Sequence, residues 1–401
     1  MRSVLVLTAL LLSFTSASAA DDAPFKWKRT VIDPKFRAEG VAAIDVNKDG
    51  KLDIVNGEAW YEAPTWKMHE IRKLGNFGDG ANGYSQSFAC WGDDINKDGW
   101  TDVIVIGFPG APCHWYENPK NAEGHWKQHE IWHSACNETP LYVDIHGKGK
   151  RVLVMGFQPK GKDNEGQMAW FAPGEDPTKT WTMNPISEPS APGKVIPGTF
   201  KFAHGLGVGD VNKDGRMDVI VPQGWWEQPS KEEGKSWTWH AGNIGEACAD
   251  MYAYDVDGDG TNDVISSAAH QIGIWYHRQI PGKDSAPSTF QKRELFPKLV
   301  SQTHAMWCID MDGDGVKDLV TGKRWWAHGP KGDVDPTAPS MLYWFKAKKS
   351  ADGMTTFTPM EIDNDSGIGT QFEVVDMNGD KHPDVIISNK KGTFLLEQVR
   401  P

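Results

Sequence analysis

An acidic segment returns seven times along this chain, and any fold must accommodate it. DVNKDGKLDIV begins at Asp45, DINKDGWTDVIV at Asp94, DVNKDGRMDVIV at Asp210, DVDGDGTNDV at Asp255, DMDGDGVKDLV at Asp310 and DMNGDKHPDVII at Asp376. A worn copy, DIHGKGKRVLV, begins at Asp144. The starts lie 45 to 66 residues apart. A period of this order marks a solenoid, a propeller or an array.

Carboxylates this crowded repel one another unless a cation lies among them. Oxygens at positions 1, 3, 5 and 9 of a tight loop can converge on a hard ion, and Ca²⁺ tolerates irregular oxygen shells better than Mg²⁺. The expected ligands are Asp45, Asn47, Asp49 and Asp53 in the first loop and Asp94, Asn96, Asp98 and Asp102 in the second. Asp210, Asn212, Asp214 and Asp218 follow, then Asp255, Asp257, Asp259 and Asp263. Asp310, Asp312, Asp314 and Asp318, and Asp376, Asn378, Asp380 and Asp384, complete the set. Five or six structural Ca²⁺ sites are expected: the third repeat carries Lys148 and Val152 where acids are needed, and the seventh has Lys381 where glycine makes the turn. An EF-hand needs a Glu at position 12 and a following helix. Here DVIV, DLV or DVII follows instead, short β-branched runs that read as strands.

Each repeat reads as four strands. One run enters the loop (EGVAAID, HGLGVGD, HAMWCID) and one leaves it. A paired-aromatic motif comes third: AWYEAP at 59–64, HWYENP at 114–119, AWFAPG at 169–174, GWWEQP at 224–229 and IWYH at 274–277. The sixth repeat offers both RWWAHG at 324–329 and LYWFK at 342–346. A fourth run follows, such as WKMHEI from Trp66 and WKQHEI from Trp126. Four strands repeated seven times predict an all-β, seven-bladed β-propeller with calcium-binding loops. The ends agree, because WKRTVI at 27–32 is a fourth strand without its first three, and the last repeat stops at TFLLEQV with three. The N-terminal strand is expected to complete the last blade and close the ring, leaving only protected edges.

The D-x-[DN]-x-D-G-x-x-D loops resemble the FG-GAP/VCBS repeats of integrin-type propellers. With the W-[YW]-E-[NQ]-P motif and HGLGVGDVNKDG, the chain is also similar to the propeller of aldos-2-ulose dehydratase-like secreted proteins. That resemblance implies a carbohydrate or keto-sugar ligand and lyase chemistry. It omits the second module those enzymes carry.

The start, MRSVLVLTALLLSFTSASAA, reads as a signal peptide over residues 1–20, leaving 21–401 as a single propeller domain in a secreted or periplasmic protein. No later run is long enough to span a membrane. Six divalent ions would offset the formal net charge of −12, and no basic cluster suggests nucleic acid. A monomer is expected. Of five cysteines, Cys113 and Cys136 flank one repeat and could bridge.

Topology locates a candidate site. The first strand of each repeat runs into its acidic loop and the second runs back, so the start of one and the end of the other share the opposite face. Six residues before each loop stand Glu39, Phe88, Glu138, His204, Ala249, His304 and Thr370. The connections after the second strand add Glu58, Gln223, His270, Lys323, Arg324, Lys390 and Lys391. Asp250 lies one step from Ala249. These residues should meet at one mouth. A neutral His204 or His304 there is suited to act as general base, with His270 beside it. Arg324 or Lys323 would hold a developing enolate. Glu39 or Glu138 would protonate a leaving hydroxyl or join the histidines around Zn²⁺ or a similar ion. Glu58, Gln223, Asp250, Trp225, Trp325 and Trp326 are the expected sugar contacts. The predicted function is a carbon–oxygen lyase or dehydratase acting on sugars. The alternative is a lectin- or adhesin-like propeller that only binds.

Overall fold

A computed structural model describes residues 25–162, 165–231, 234–283 and 286–400; the expected signal peptide lies outside them. Strand β1 spans Lys26–Asp33. Then come β2 (Ala42–Ile44), β3 (Asp53–Val55), β4 (Ala59–Glu62) and β5 (Lys67–Glu70), followed by β6 (Ala89–Asp93), β7 (Asp102–Ile106), β8 (Cys113–Glu117) and β9 (Lys127–Trp132). The third group is β10 (Leu141–Val143), β11 (Val152–Phe157), β12 (Gln167–Ala172) and β13 (Thr182–Pro185). The fourth is β14 (Leu206–Gly209), β15 (Asp218–Val221), β16 (Gly224–Glu227) and β17 (Thr238–Ala241). The fifth is β18 (Asp250–Tyr254), β19 (Asp263–Ser267), β20 (Ile272–Ile280) and β21 (Thr289–Ser301). Last come β22 (Met306–Ile309), β23 (Asp318–Gly322), β24 (Leu342–Lys349) and β25 (Thr355–Asp363), then β26 (Phe372–Val375), β27 (Asp384–Asn389) and β28 (Gly392–Val399).

The fold is an all-β propeller. Five sheets have four strands and one has eight. β1 pairs antiparallel with β28, Lys26 opposite Val399, so the N-terminal strand joins the last sheet as its sequence predicts. The eight-stranded sheet departs from seven separate blades. β14 and β18 run parallel and pair at Leu206–Asp250 and Gly207–Met251. Glycine is the cause: a Cβ on Gly207 would lie 2.2 Å from the Met251 carbonyl oxygen, so any side chain would hold the strands apart.

Burial follows position within each sheet. Second strands such as β7 (DVIVI) are buried at every residue, whereas the outer β5 (KMHE) is mostly exposed. The apolar runs read in the sequence are therefore the strands covered on both faces. The paired-aromatic motif has a local purpose. Trp60, Trp115 and Trp225 stack on His69, His129 and His240 at 4.2, 4.3 and 4.2 Å. Each imidazole also meets the Glu of the same motif, Glu62, Glu117 or Glu227, at 2.9, 3.0 and 2.7 Å.

The acidic loops share one geometry. The first Asp accepts the backbone N–H of position 6, as Asp45 does from Gly50 and Asp94 from Gly99. Lys381 does the glycine's work in the last loop: its φ of 70° is left-handed and its N–H reaches Asp376. Even the worn loop keeps the turn, with Asp144 accepting from Gly149. At position 9, Asp53, Asp102, Asp218, Asp263, Asp318 and Asp384 are each fully buried. Each ties its own loop to a later strand through two backbone N–H groups, as Asp218 does with Val211 and Gln228 at 2.8 and 3.0 Å. Carboxylate oxygens of Asp255, Asp257 and Asp259, and of Asp310, Asp312 and Asp318, gather within 4.8 Å of one another.

All five cysteines are free thiols, so the expected Cys113–Cys136 bridge is absent. Cys113 faces Trp132 across the β8–β9 pair, while the Cys136 N–H bonds Gly156 in the next sheet.

Candidate functional site

Residues from five parts of the sequence meet where the first strands begin. Arg324, 1% exposed, donates from Nη2 to Glu39 at 2.6 Å and from Nη1 to Glu138 at 2.8 Å. Those partners lie 285 and 186 residues away in sequence. Glu138 Oε2 also lies 3.4 Å from His204 Nε2 and 3.9 Å from His304 Nε2. His270 Nε2 is 3.2 Å from His204 Nε2.

The three imidazoles are oriented alike. Nδ1 of His204 donates to the Phe202 carbonyl at 2.8 Å and Nδ1 of His304 to the Gln302 carbonyl at 3.0 Å. Nδ1 of His270 meets the Asp333 carboxylate at 3.1 Å. A carbonyl only accepts, so His204 and His304 donate from Nδ1, and in a neutral ring of this tautomer Nε2 carries the lone pair. One ligand nitrogen from each of His204, His270 and His304 lies within 4.8 Å of the others. His304 Nε2 is buried with no hydrogen-bond partner. Such an orphan is costly unless something binds it.

Burial and the Arg324 charge act together on His304 and oppose each other on Glu138. Burial pushes His304 well below the usual imidazole range and Arg324 adds to it, so the ring is neutral. Burial alone would raise the Glu138 carboxyl, but the Arg324 guanidinium beside it outweighs that and holds it well below the usual range. Glu138 is therefore an acceptor, not the proton donor considered from sequence. Asp333 is held low against its own burial by the bonds from His270 and His328.

The other sequence candidates fall into two groups. Arg324 is consumed by its two carboxylates, and Lys323 Nζ by the carbonyls of Asp335 and Ala338. Glu39 also accepts from the Ser85 N–H, and Glu58 accepts from Gly75 and faces Arg72 at 3.5 Å. Asp250 lies in an apolar channel with Met251, Met306 and Trp307; it accepts the Met306 N–H, and burial lifts its carboxyl to about 7. Trp225 is buried in its blade against His240, away from the histidines, and Gln223 is exposed. Trp325 and Trp326 stack on each other at 4.4 Å, and Trp326 bonds the Pro336 carbonyl. They belong to a long connection, Lys323–Met341, because LYWFK forms β24 and RWWAHG does not form a strand. That connection supplies two residues the sequence reading missed, His328 and Asp333, which bond each other at 3.0 Å. The HGPKGD string held the signal, but its residues follow no repeat position.

No protein-family profile and no curated protein matches the chain. Among solved structures it is similar to BBS1N in complex with ARL6DN, at 9% identity over 93% of this chain and 96% of that one, with a TM-score of 0.42. It is also similar to YCF48 from Cyanidioschyzon merolae, at 12% identity over 93% and 98%, with a TM-score of 0.44. These likenesses bear on neither activity nor partners. Among the described residues, no helix is long and apolar enough to cross a membrane.

Proposed function

We propose that this chain is an exported, calcium-stabilised seven-bladed propeller of FG-GAP/VCBS type, the eight-stranded sheet counting as two blades. Its mouth holds a divalent transition metal on Nε2 of His204, His270 and His304, and it cleaves a carbon–oxygen bond in a carbohydrate. The convergence of those nitrogens carries the reading. The His204 and His270 Nε2 atoms, 3.2 Å apart, need a proton or a metal cation between them. Ligand atoms about 2.1 Å from a tetrahedral Zn²⁺ lie about 3.4 Å from one another. The 3.2 Å His204–His270 and 3.4 Å His204–Glu138 separations fit that spacing. The bonds to Phe202, Gln302 and Asp333 are the outer contacts that orient metal-binding imidazoles.

A bound ion supplies Lewis acidity toward a sugar carbonyl or hydroxyl. The chain's own groups do the rest. Arg324 anchors Glu138 as a carboxylate whose Oε2 faces His204. The nitrogen that would serve His204 or His304 as a base is the one that would hold the ion, so those two roles are alternatives. Convergence favours the ion. A lectin would tend to repeat one pocket around the ring, whereas here each blade contributes a different group.

Metal analysis of wild type beside His204→Ala/His304→Ala is the test. The expected result is calcium in both and a transition metal in wild type alone, followed by activity on keto-sugars or uronic-acid polymers. Equal metal content in the two proteins would refute the metal centre.

A further inference from the structure

Four cations come to this mouth, and three are already engaged. Arg324 holds Glu39 and Glu138, Lys323 holds two carbonyls, and Lys391 Nζ holds Asp365 and Ser340. Lys390 differs. It is 6% exposed, in the turn between β27 and β28, and its ammonium meets no acceptor among the described residues. Its head lies over the Tyr84 ring, 4.0 Å from the centroid, and its stem lies under Gly80, where a Cβ would come within 2.6 Å. Burial pushes Lys390 down to about 8, with Glu39 opposing.

This ammonium lines a groove of about 620 Å³ shared with Lys35, Phe36, Arg37, Asn76 and Asp79. Arg37 is paired with Asp33 at 3.0 Å, whereas Lys390, its stem buried, presents an ammonium that meets no acceptor among the described residues and opens to the groove. No residue of the histidine centre lines the groove; the link between them is the Tyr84 ring, which has Lys390 at 4.0 Å and Arg324 at 6.0 Å from its centroid. Formal charge also asks for an anion. Glu39, Glu138 and Asp333 balance Arg324, Lys323 and Lys390, so a divalent ion at the histidines leaves the mouth positive.

We propose that Lys390 is an anion subsite that reads the carboxylate of an acidic sugar, which makes the substrate class of the mouth uronates rather than neutral sugars. This rests on the carbohydrate reading above. The carboxylate replaces the missing acceptor in a charge-assisted hydrogen bond, and Tyr84 keeps the ammonium in place.

The test is calorimetric titration of the metal-replete protein with D-glucuronate, with glucose as neutral control and sulfate as bare anion. Wild type should bind glucuronate at least about tenfold more tightly than glucose. Lys390→Met should remove that preference, and Lys390→Arg, which keeps the charge, should restore most of it. The preference should fall as pH rises past about 8, where the ammonium loses its proton. Equal glucuronate affinity in wild type and Lys390→Met, or equal affinity of wild type for glucuronate and glucose, would overturn the subsite. Sulfate binding as tightly as glucuronate would overturn the uronate assignment in favour of a bare-anion site. The His204→Ala/His304→Ala protein separates the two readings: loss of metal with the glucuronate preference kept supports both, and unchanged metal with the preference kept sinks only the metal centre.

Discussion

Replacing Arg324 with Met should cost more stability than any surface change, and the cost should depend on pH. The substitution strips the hydrogen-bonded guanidinium from two carboxylates, Glu39 and Glu138, that are 1% and 6% exposed. Removing one partner of a buried ion pair costs about 3–5 kcal/mol, because the remaining charge has lost both water and its partner. The sign follows from Glu138. In wild type its folded pKa is depressed, so it contributes stability above its unfolded pKa near 4.3, lost as pH falls through the folded value. Without Arg324, burial dominates and the folded pKa lies above the unfolded one. The variant is then penalised most at neutral pH and recovers as pH falls toward 4. Urea unfolding followed by tryptophan fluorescence at constant calcium, at pH 7.5 and 5, reads both effects. Arg324→Met/Glu39→Gln/Glu138→Gln removes every charge of the triad and should regain most of the loss. A deficit that is the same at both pH values, or a triple variant no more stable than the single one, would refute this account.

Chelation should lower the melting temperature; an unfolding curve indifferent to excess EDTA would rule out structural calcium. Gly207→Val should destabilise by about 1–3 kcal/mol in a denaturant titration, because its Cβ would press on the Met251 carbonyl 2.2 Å away. Burial raises Glu373 to about 7 although it accepts the Ala43 N–H at 2.7 Å, so wild type should lose stability as pH rises from its unfolded pKa toward 7. Glu373→Gln should therefore be the more stable protein at pH 8 but not at pH 4, by thermal melts at each pH. Cys90, Cys113, Cys136 and Cys248 are buried thiols with pKa values raised by burial, so a thiol reagent should label none of them until the protein unfolds.

The strand pattern was legible because it is local. A glycine at position 6 and an Asp at position 1 make the loop turn whatever surrounds it, and the β-branched run after it is a strand in every repeat. The convergence of Glu39, Glu138, His204, His270, His304 and Arg324 was legible too, since strand direction alone puts those positions on one face. His328, Asp333 and Lys390's missing partner were not. The first two sit in a connection outside the repeat, and a missing partner is a property of neighbours distant in sequence. Trp225 looked like a sugar platform because an indole does not announce which ring it stacks on; His240, on the next strand, had already taken it.

The repeat, the strands, the shape of the acidic loops and the face on which the unusual side chains lie can be read along the chain, because they follow from local backbone preference and strand alternation. Tertiary structure decided which nitrogen of each histidine points inward, that Arg324 is spent on two carboxylates, and that Lys390 is not matched. Those outcomes depend on distances between residues hundreds of positions apart, and only the packed ring sets them.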